Sequence, residues 1–284
     1  MKKKTHNRKS FTPMSAVVAG MALAAAGAHA QTVFNYNFPA SWNGTGGGAG
    51  TAITDLSPAG NNGLSDGTIS LAAAIPPGAP GGTQSLVTTS GGVLTHNTAS
   101  LANATVAAAG GFTYSVDFMW NGTDSSSFGH TEKIVDYSGT ESLQLVTSAG
   151  SASLQMTFAN DTGVESTPVS MTIAPNTWYD VIMSFNTAGN SLVAGDISGI
   201  ASLSVNGGAP ITGAATKGTY GDSLNRPIGV GQLGAPFGYL VGFKGDIYDP
   251  EVDLGAVPEP SSMALMLGGL GTMGAMWNSR RRKS

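Results

Sequence analysis

The clearest pattern in the chain is an alternation. Phe112, Tyr114, Val116, Phe118 and Trp120 fall on every second residue, with Thr113, Ser115 and Asp117 between them. Side chains on a strand point to opposite faces with period 2, so these five large groups share one face of a predicted β-strand. Shorter runs predict strands at 133–137, 142–146, 151–158, 169–173, 178–185, 200–205, 227–231 and 239–248. Trp120 and Trp178 lie within such patterns and are expected in the core. Asn206-Gly207, directly after Val205, is a tight-turn signal. Upstream of residue 110 the text is looser and Gly-rich, with strands expected at 35–38 and 85–88 and loops at 44–50 and 74–82. No run between Gln31 and Ala256 keeps a 3.6-residue period with caps, and there is no internal repeat. Closely spaced strands punctuated by Gly and Asn predict an all-β fold, an antiparallel β-sandwich or jelly roll.

The two ends follow other rules. Residues 1–30 read as a signal peptide, expected as a helix. Lys2, Lys3, Lys4, Arg8 and Lys9 make a cationic start, an uncharged Ala-rich run follows, and Ala28-His29-Ala30 is an A-x-A cleavage site that leaves Gln31 as the new N-terminus. Residues 257–284 reverse that order. Val257-Pro258-Glu259-Pro260-Ser261 precedes an apolar stretch at 263–277, expected as a helix, and Arg280, Arg281, Arg282 and Lys283 close the sequence. A basic cluster after an apolar stretch stays on the cytoplasmic side. The stretch is short and Gly-rich, which suits a transient membrane tether better than a permanent span. Between the ends lies one domain, 31–256, long enough for a single sandwich with a real core.

That partition changes the charge. Nine of the thirteen Lys/Arg belong to the ends, and residues 31–256 keep four bases against sixteen acids, a formal charge of −12. Such a domain repels nucleic acid and anionic lipid, and leaves neutral glycans and cations as partners. The chain has no cysteine, which excludes disulfides, thiolate metal sites and a cysteine nucleophile.

The tripartite tail, VPEPSS then an apolar segment then RRRK, resembles the PEP-CTERM sorting signal. The resemblance implies recognition by an exosortase-type membrane protease and cleavage near Pro258-Glu259-Pro260. It also implies export to the cell surface or extracellular matrix of a Gram-negative bacterium that makes exopolysaccharide or a biofilm. The middle resembles the laminin-G-like (concanavalin-A-like) jelly-roll family in five stretches taken in order. These are the acidic turn Asp55-Leu56-Ser57-Pro58-Ala59-Gly60-Asn61-Asn62-Gly63, the strand Phe112-Thr113-Tyr114-Ser115-Val116-Asp117-Phe118, the strand Asn176-Thr177-Trp178-Tyr179-Asp180-Val181, the hairpin Leu203-Ser204-Val205-Asn206-Gly207, and the closing pair Pro227-Ile228-Gly229-Val230-Gly231 and Phe243-Lys244-Gly245-Asp246-Ile247-Tyr248. Pro250 departs from that pattern by interrupting the final strand.

Calcium takes six to eight oxygens, often Asp carboxylates with loop carbonyls. Asp55, in its Asn- and Gly-rich turn, is the candidate ligand, and the family resemblance adds Asp246. The alternative for Asp55 is a turn in which the carboxylate bonds its own backbone. For glycan binding the candidates are Trp42, in an Asn/Gly loop, and Tyr220 and Tyr239, which flank Gly-rich turns with Phe237. No catalytic residue is assigned. Asp246, Asp249, Glu251 and Asp253 lack the Glu-x-Asp-x-x-Glu order of glucanases with this architecture and read as a solvated strand end. His96 and His130 lie in separate regions with no nucleophile elbow, and Gly229-x-Gly231-x-x-Gly234 lacks the helix a dinucleotide site needs. The sequence therefore reads as a non-catalytic surface or matrix protein that binds or sits within extracellular polysaccharide. The alternatives are a glycan-active hydrolase and a protein-binding adhesin.

Overall fold

The alternating segment forms β8 (Gly111–Trp120), the central strand of the larger sheet in this computed structural model. Phe112, Tyr114, Val116, Phe118 and Trp120 are all buried, whereas Ser115, Asp117 and Met119 are half-buried on the opposite face. The structure describes residues 31–36, 38–39, 52–66, 69–79, 83–88, 92–95, 101–122, 130–137, 141–148, 151–160, 165–187, 190–219, 228–231 and 243–255. The signal peptide and the sorting tail lie outside them. Among the described residues no helix is long and apolar enough to cross a membrane.

Two antiparallel sheets face each other. In the larger, β15 (Ile211–Lys217), β14 (Ile197–Val205), β13 (Trp178–Asn186), β8, β17 (Gly245–Leu254), β6 (Thr83–Thr88) and β2 (Phe38–Pro39) lie side by side. β1 (Gln31–Asn35) pairs with the second half of β17, and β5 (Ile69–Ala72) pairs with β6. The smaller sheet runs β12 (Glu165–Ile173), β11 (Ser151–Ala159), β10 (Glu141–Ser148), β9 (His130–Tyr137), β16 (Ile228–Val230), β7 (Gly92–Thr95), β4 (Gly63–Asp66) and β3 (Ala52–Ile53). The fold is the expected β-sandwich. Its core is the apolar face of each strand, including a run of tilted rings from Tyr114 through Phe112 and Phe185 to Phe158.

Local chemistry explains most boundaries. Asn206 and Gly207 both have positive φ (52° and 66°), as the tight turn demands. Gly213 on β15 must lack a side chain, because a Cβ there would fall 2.4 Å from the Pro168 carbonyl oxygen on β12 and push the two edge strands apart. Pro168 in turn suits an edge strand, since it has no N–H to offer a further partner.

Three features differ from expectation. A short helix, α1 (Asn103–Ala109), ends at Gly110 with φ 83°. At two turns it is too short to show a helical period, and it forms because Ala-rich sequence tucks Val106 into the core. Trp178 is half-buried, because Tyr179, Val181, Met183 and Phe185 hold the inner face of β13 and alternation sends Trp178 outward. Pro250 does not end the last strand. β17 continues through it by a bulge between Tyr248 and Glu251, with Asp249 at φ 47°. A bulge is where a strand tolerates Pro, and the Pro250 carbonyl accepts the Tyr36 amide at 3.0 Å.

Candidate functional site

The Asn/Gly-rich turn folds around Asp55, which is buried. One carboxylate oxygen, Oδ1, accepts the amides of Asn35 and Ser57, both at 2.8 Å. The other, Oδ2, accepts the Ser57 hydroxyl at 2.7 Å and the Asn61 amide at 2.6 Å. A carboxylate offers about four lone-pair directions, and all four are taken. The surrounding groups point donors, the positive ends of their dipoles, at the carboxylate. This set suits an anion held by its turn, the alternative the sequence offered for Asp55. The turn is in turn pinned to β1, because Asn61 Nδ2 donates to the Val33 carbonyl at 2.5 Å and the Tyr36 hydroxyl donates to the Asn61 carbonyl at 2.8 Å. Burial, and then the Asp55 charge, push the Tyr36 phenol well above its usual range.

The outer face of the larger sheet gathers acids. Strand register sets Asp117 on β8 opposite Asp180 on β13, and the β17 bulge brings Asp249 to the same region. Directly opposed residues of an antiparallel pair have Cβ atoms about 4.5–5.5 Å apart. Asp117 is pushed up to about 6, first by burial and then by Asp180 and Asp249. Asp246, Asp249 and Glu251 are also raised, chiefly by burial. Asp246 accepts the Ser85 hydroxyl at 2.9 Å, and Glu251 accepts Asn35 Nδ2 at 3.1 Å and the Thr32 hydroxyl at 3.3 Å. The acidic strand end therefore lies along a half-buried face rather than free in solvent. Burial raises Asp246, Asp249 and Glu251 in the same direction as Asp117.

A second polar group is inside. On β9 the bulge at Ile134 puts Lys133 and Asp136 on one face, although they are three residues apart. Lys133 Nζ bonds the Ser142 hydroxyl at 2.8 Å and the Gln144 side chain, and lies 3.5 Å from Asp136. Ser142 and Thr157 hydroxyls meet at 2.7 Å, and all five side chains are buried. Between the sheets, Lys217 Nζ lies 3.4 Å from Glu141, both fully buried, and 5.2 Å from the Tyr137 ring centre. Two of the four bases of residues 31–256 are thereby paired internally with two of its sixteen acids, which leaves the formal charge of −12 to the rest of the domain.

A cleft of about 500 Å³ opens where the two sheets meet. Ser198, Ile200 and Thr216 come from β14 and β15, Asn160 and Ser166 from the end of β11 and start of β12, and Asn190 from the β13–β14 connection. Ser198, Gly199, Ala214, Ala215 and Thr216 are all small, so the strands leave a hollow. No lining residue carries a charge.

Asp55 and Asp246 do not come together. Asp55 binds Asn35, which registers with Glu251, and Asp246 lies five residues back along β17, roughly 15 Å on strand geometry. Among the described residues no group of three or more His, Asp or Glu side chains is arranged to hold a metal. Trp42, Tyr220 and Tyr239, like Ala28, Ala30, Pro258, Glu259, Pro260 and Arg280–Arg282, lie outside the described residues. Sequence reasoning missed the Asp117–Asp180 pair, which only strand register reveals. It also missed the cleft, whose Asn, Ser and Thr residues carry no signal in a chain full of them.

Solved structures similar to this chain include the following two. Domain 4 of AbnA, a GH43 extracellular arabinanase from Geobacillus stearothermophilus solved in complex with arabinotriose, is 15% identical with a TM-score of 0.51. The match covers 82% of this chain and 96% of that one. The binding domain of botulinum neurotoxin DC, in complex with rat synaptotagmin II, is 14% identical with a TM-score of 0.48, covering 84% of this chain and 51% of that one. No curated protein matches in sequence. Residues 256–282 match the PEP-CTERM protein-sorting motif, which implies an exported protein, membrane-anchored until an exosortase-type protease processes its tail.

Proposed function

We propose that this is a non-catalytic protein of the Gram-negative cell surface or extracellular matrix, whose β-sandwich binds extracellular polysaccharide. The observation that carries the reading is the sorting motif joined to a sandwich domain. The motif delivers the domain to the outside, and a sandwich of like fold has been solved with arabinotriose bound. The strong negative charge of the domain removes nucleic acid and anionic lipid from the field. Calcium at Asp55 is not part of the reading, which takes this carboxylate as the acceptor of four hydrogen bonds within its turn.

One observation favours a second reading, a glycan hydrolase. Retaining glycosidases hold two carboxyl groups about 5–5.5 Å apart, one of them protonated near neutrality. Asp117 and Asp180 are opposed across β8 and β13, with Asp117 pushed up to about 6. A single experiment separates the two. The protein purified after export is passed over immobilised arabinan, dextran and β-glucan, and each polysaccharide is assayed for new reducing ends. Retention without product is the expected result. Product released by wild type and abolished by Asp117→Asn would replace the binding reading with the hydrolase.

A further inference from the structure

The cleft beside β14 and β15 holds no charged group, unlike the acidic face around Asp117. Its polar groups are amides and hydroxyls, and its remaining lining is aliphatic: Ile200, 44% exposed, with small neighbours. Its volume of about 500 Å³ falls within the roughly 300–1,000 Å³ of small-ligand sites. The geometry points to this cleft as the seat of an uncharged glycan segment, a conclusion that rests on the polysaccharide-binding reading and gives it a place and a ligand class.

Three features support this. Sugar hydroxyls both donate and accept, so they need partners of both kinds, and Asn, Ser and Thr supply them. Asn190 Nδ2 donates to the Ser198 carbonyl at 2.8 Å, which orients the amide and leaves Oδ1 to accept. Thr216 and Ser198 hydroxyls sit 3.4 Å apart, presenting two rotatable O–H groups side by side. The second feature is charge. A uronate or sulfate group would meet no cation in this lining and would approach a domain of charge −12. Desolvating an unpaired anion is expensive, so the cleft selects against acidic polysaccharide. The third feature is rigidity. The cleft is built on β14 and β15, which are held by a regular seven-pair ladder from Ile197–Lys217 to Leu203–Ile211, so a ligand meets groups already in place. With no aromatic platform among the lining residues, binding is weak and avidity in a matrix supplies the rest.

The test is affinity electrophoresis of the protein purified after export, in gels containing arabinan, dextran, β-glucan or alginate. Wild type, Asn190→Ala and Ala214→Phe are run together, with thermal melts to confirm that each variant is folded. Asn190→Ala removes one oriented acceptor and is expected to weaken retardation about fivefold. Ala214→Phe fills the hollow from an exposed position and should abolish retardation without changing the melt. Retardation by a neutral polysaccharide that both variants reduce supports the inference. Retardation that survives both variants overturns the site and leaves the polysaccharide-binding reading standing. Retardation by alginate alone overturns the ligand class, and no retardation in any gel overturns both the inference and the reading beneath it.

Discussion

Acidification is expected to stabilise this protein, because the outer face of the larger sheet holds its carboxylates in positions that penalise charge. Asp117 is the strongest case, raised from 3.8 to about 6 by burial, then Asp180, then Asp249. A gap of about two units corresponds to roughly 3 kcal/mol if felt in full. Asp117 is only half-buried, and exposed Asp180 is hydrated, so screening brings the effect down to on the order of 1 kcal/mol. The sign follows from linkage. With its folded value above the unfolded one, the folded state holds the proton more tightly. The contribution is fully present below about pH 4 and is lost as pH rises through about 6. Asp246, Asp249 and Glu251 shift in the same direction and act with the same sign. For a domain of this size each kcal/mol moves Tm by roughly 2–4 °C. At low salt, Tm should therefore rise by a few degrees between pH 7.5 and pH 5. Asp117→Asn keeps the shape, removes the charge, and should raise Tm by about 2–4 °C at pH 7.5 while flattening the slope. A wild-type Tm that stays level or falls on acidification, or a slope untouched by Asp117→Asn, would refute the reasoning.

Two further expectations concern the interior. Asp55→Ala strips four hydrogen bonds from the turn and strands the part-buried amides of Asn35 and Asn61, at about 1–3 kcal/mol each; Tm should fall by some 5–15 °C, and EDTA should change the melt of neither wild type nor variant, whereas a fall in wild-type Tm with EDTA would restore a calcium role. Lys217→Met leaves Glu141 charged and buried between the sheets, at about 3–5 kcal/mol in urea denaturation. Adding Glu141→Leu should recover most of that loss, and a double variant as unstable as the sum of the singles would show that the two side chains are not coupled.

The division between what the sequence disclosed and what it concealed follows from the range of the forces involved. β8 was legible because alternation is local: five large residues at every second position admit one strand face. The Asn206-Gly207 turn was legible because positive φ restricts residue type. Bulges are not local in this way. Their extra residue is fixed by the partner strand, and here two of them decide the chemistry. The bulge at Ile134 turns an i, i+3 spacing into the Lys133–Asp136 contact, and the bulge before Glu251 keeps Pro250 inside β17 and swings Asp249 toward Asp117. A sequence reading that assumes strict alternation puts Lys133 and Asp136 on opposite faces and ends the strand at Pro250. The acidic run 246–253 then becomes a loose solvated tip, when its acids belong to a face shared with Asp117 and Asp180. The same reasoning explains Asp55. Its turn was readable, but which groups meet the turn carboxylate depends on β1, twenty residues earlier, whose Asn35 amide donates to it.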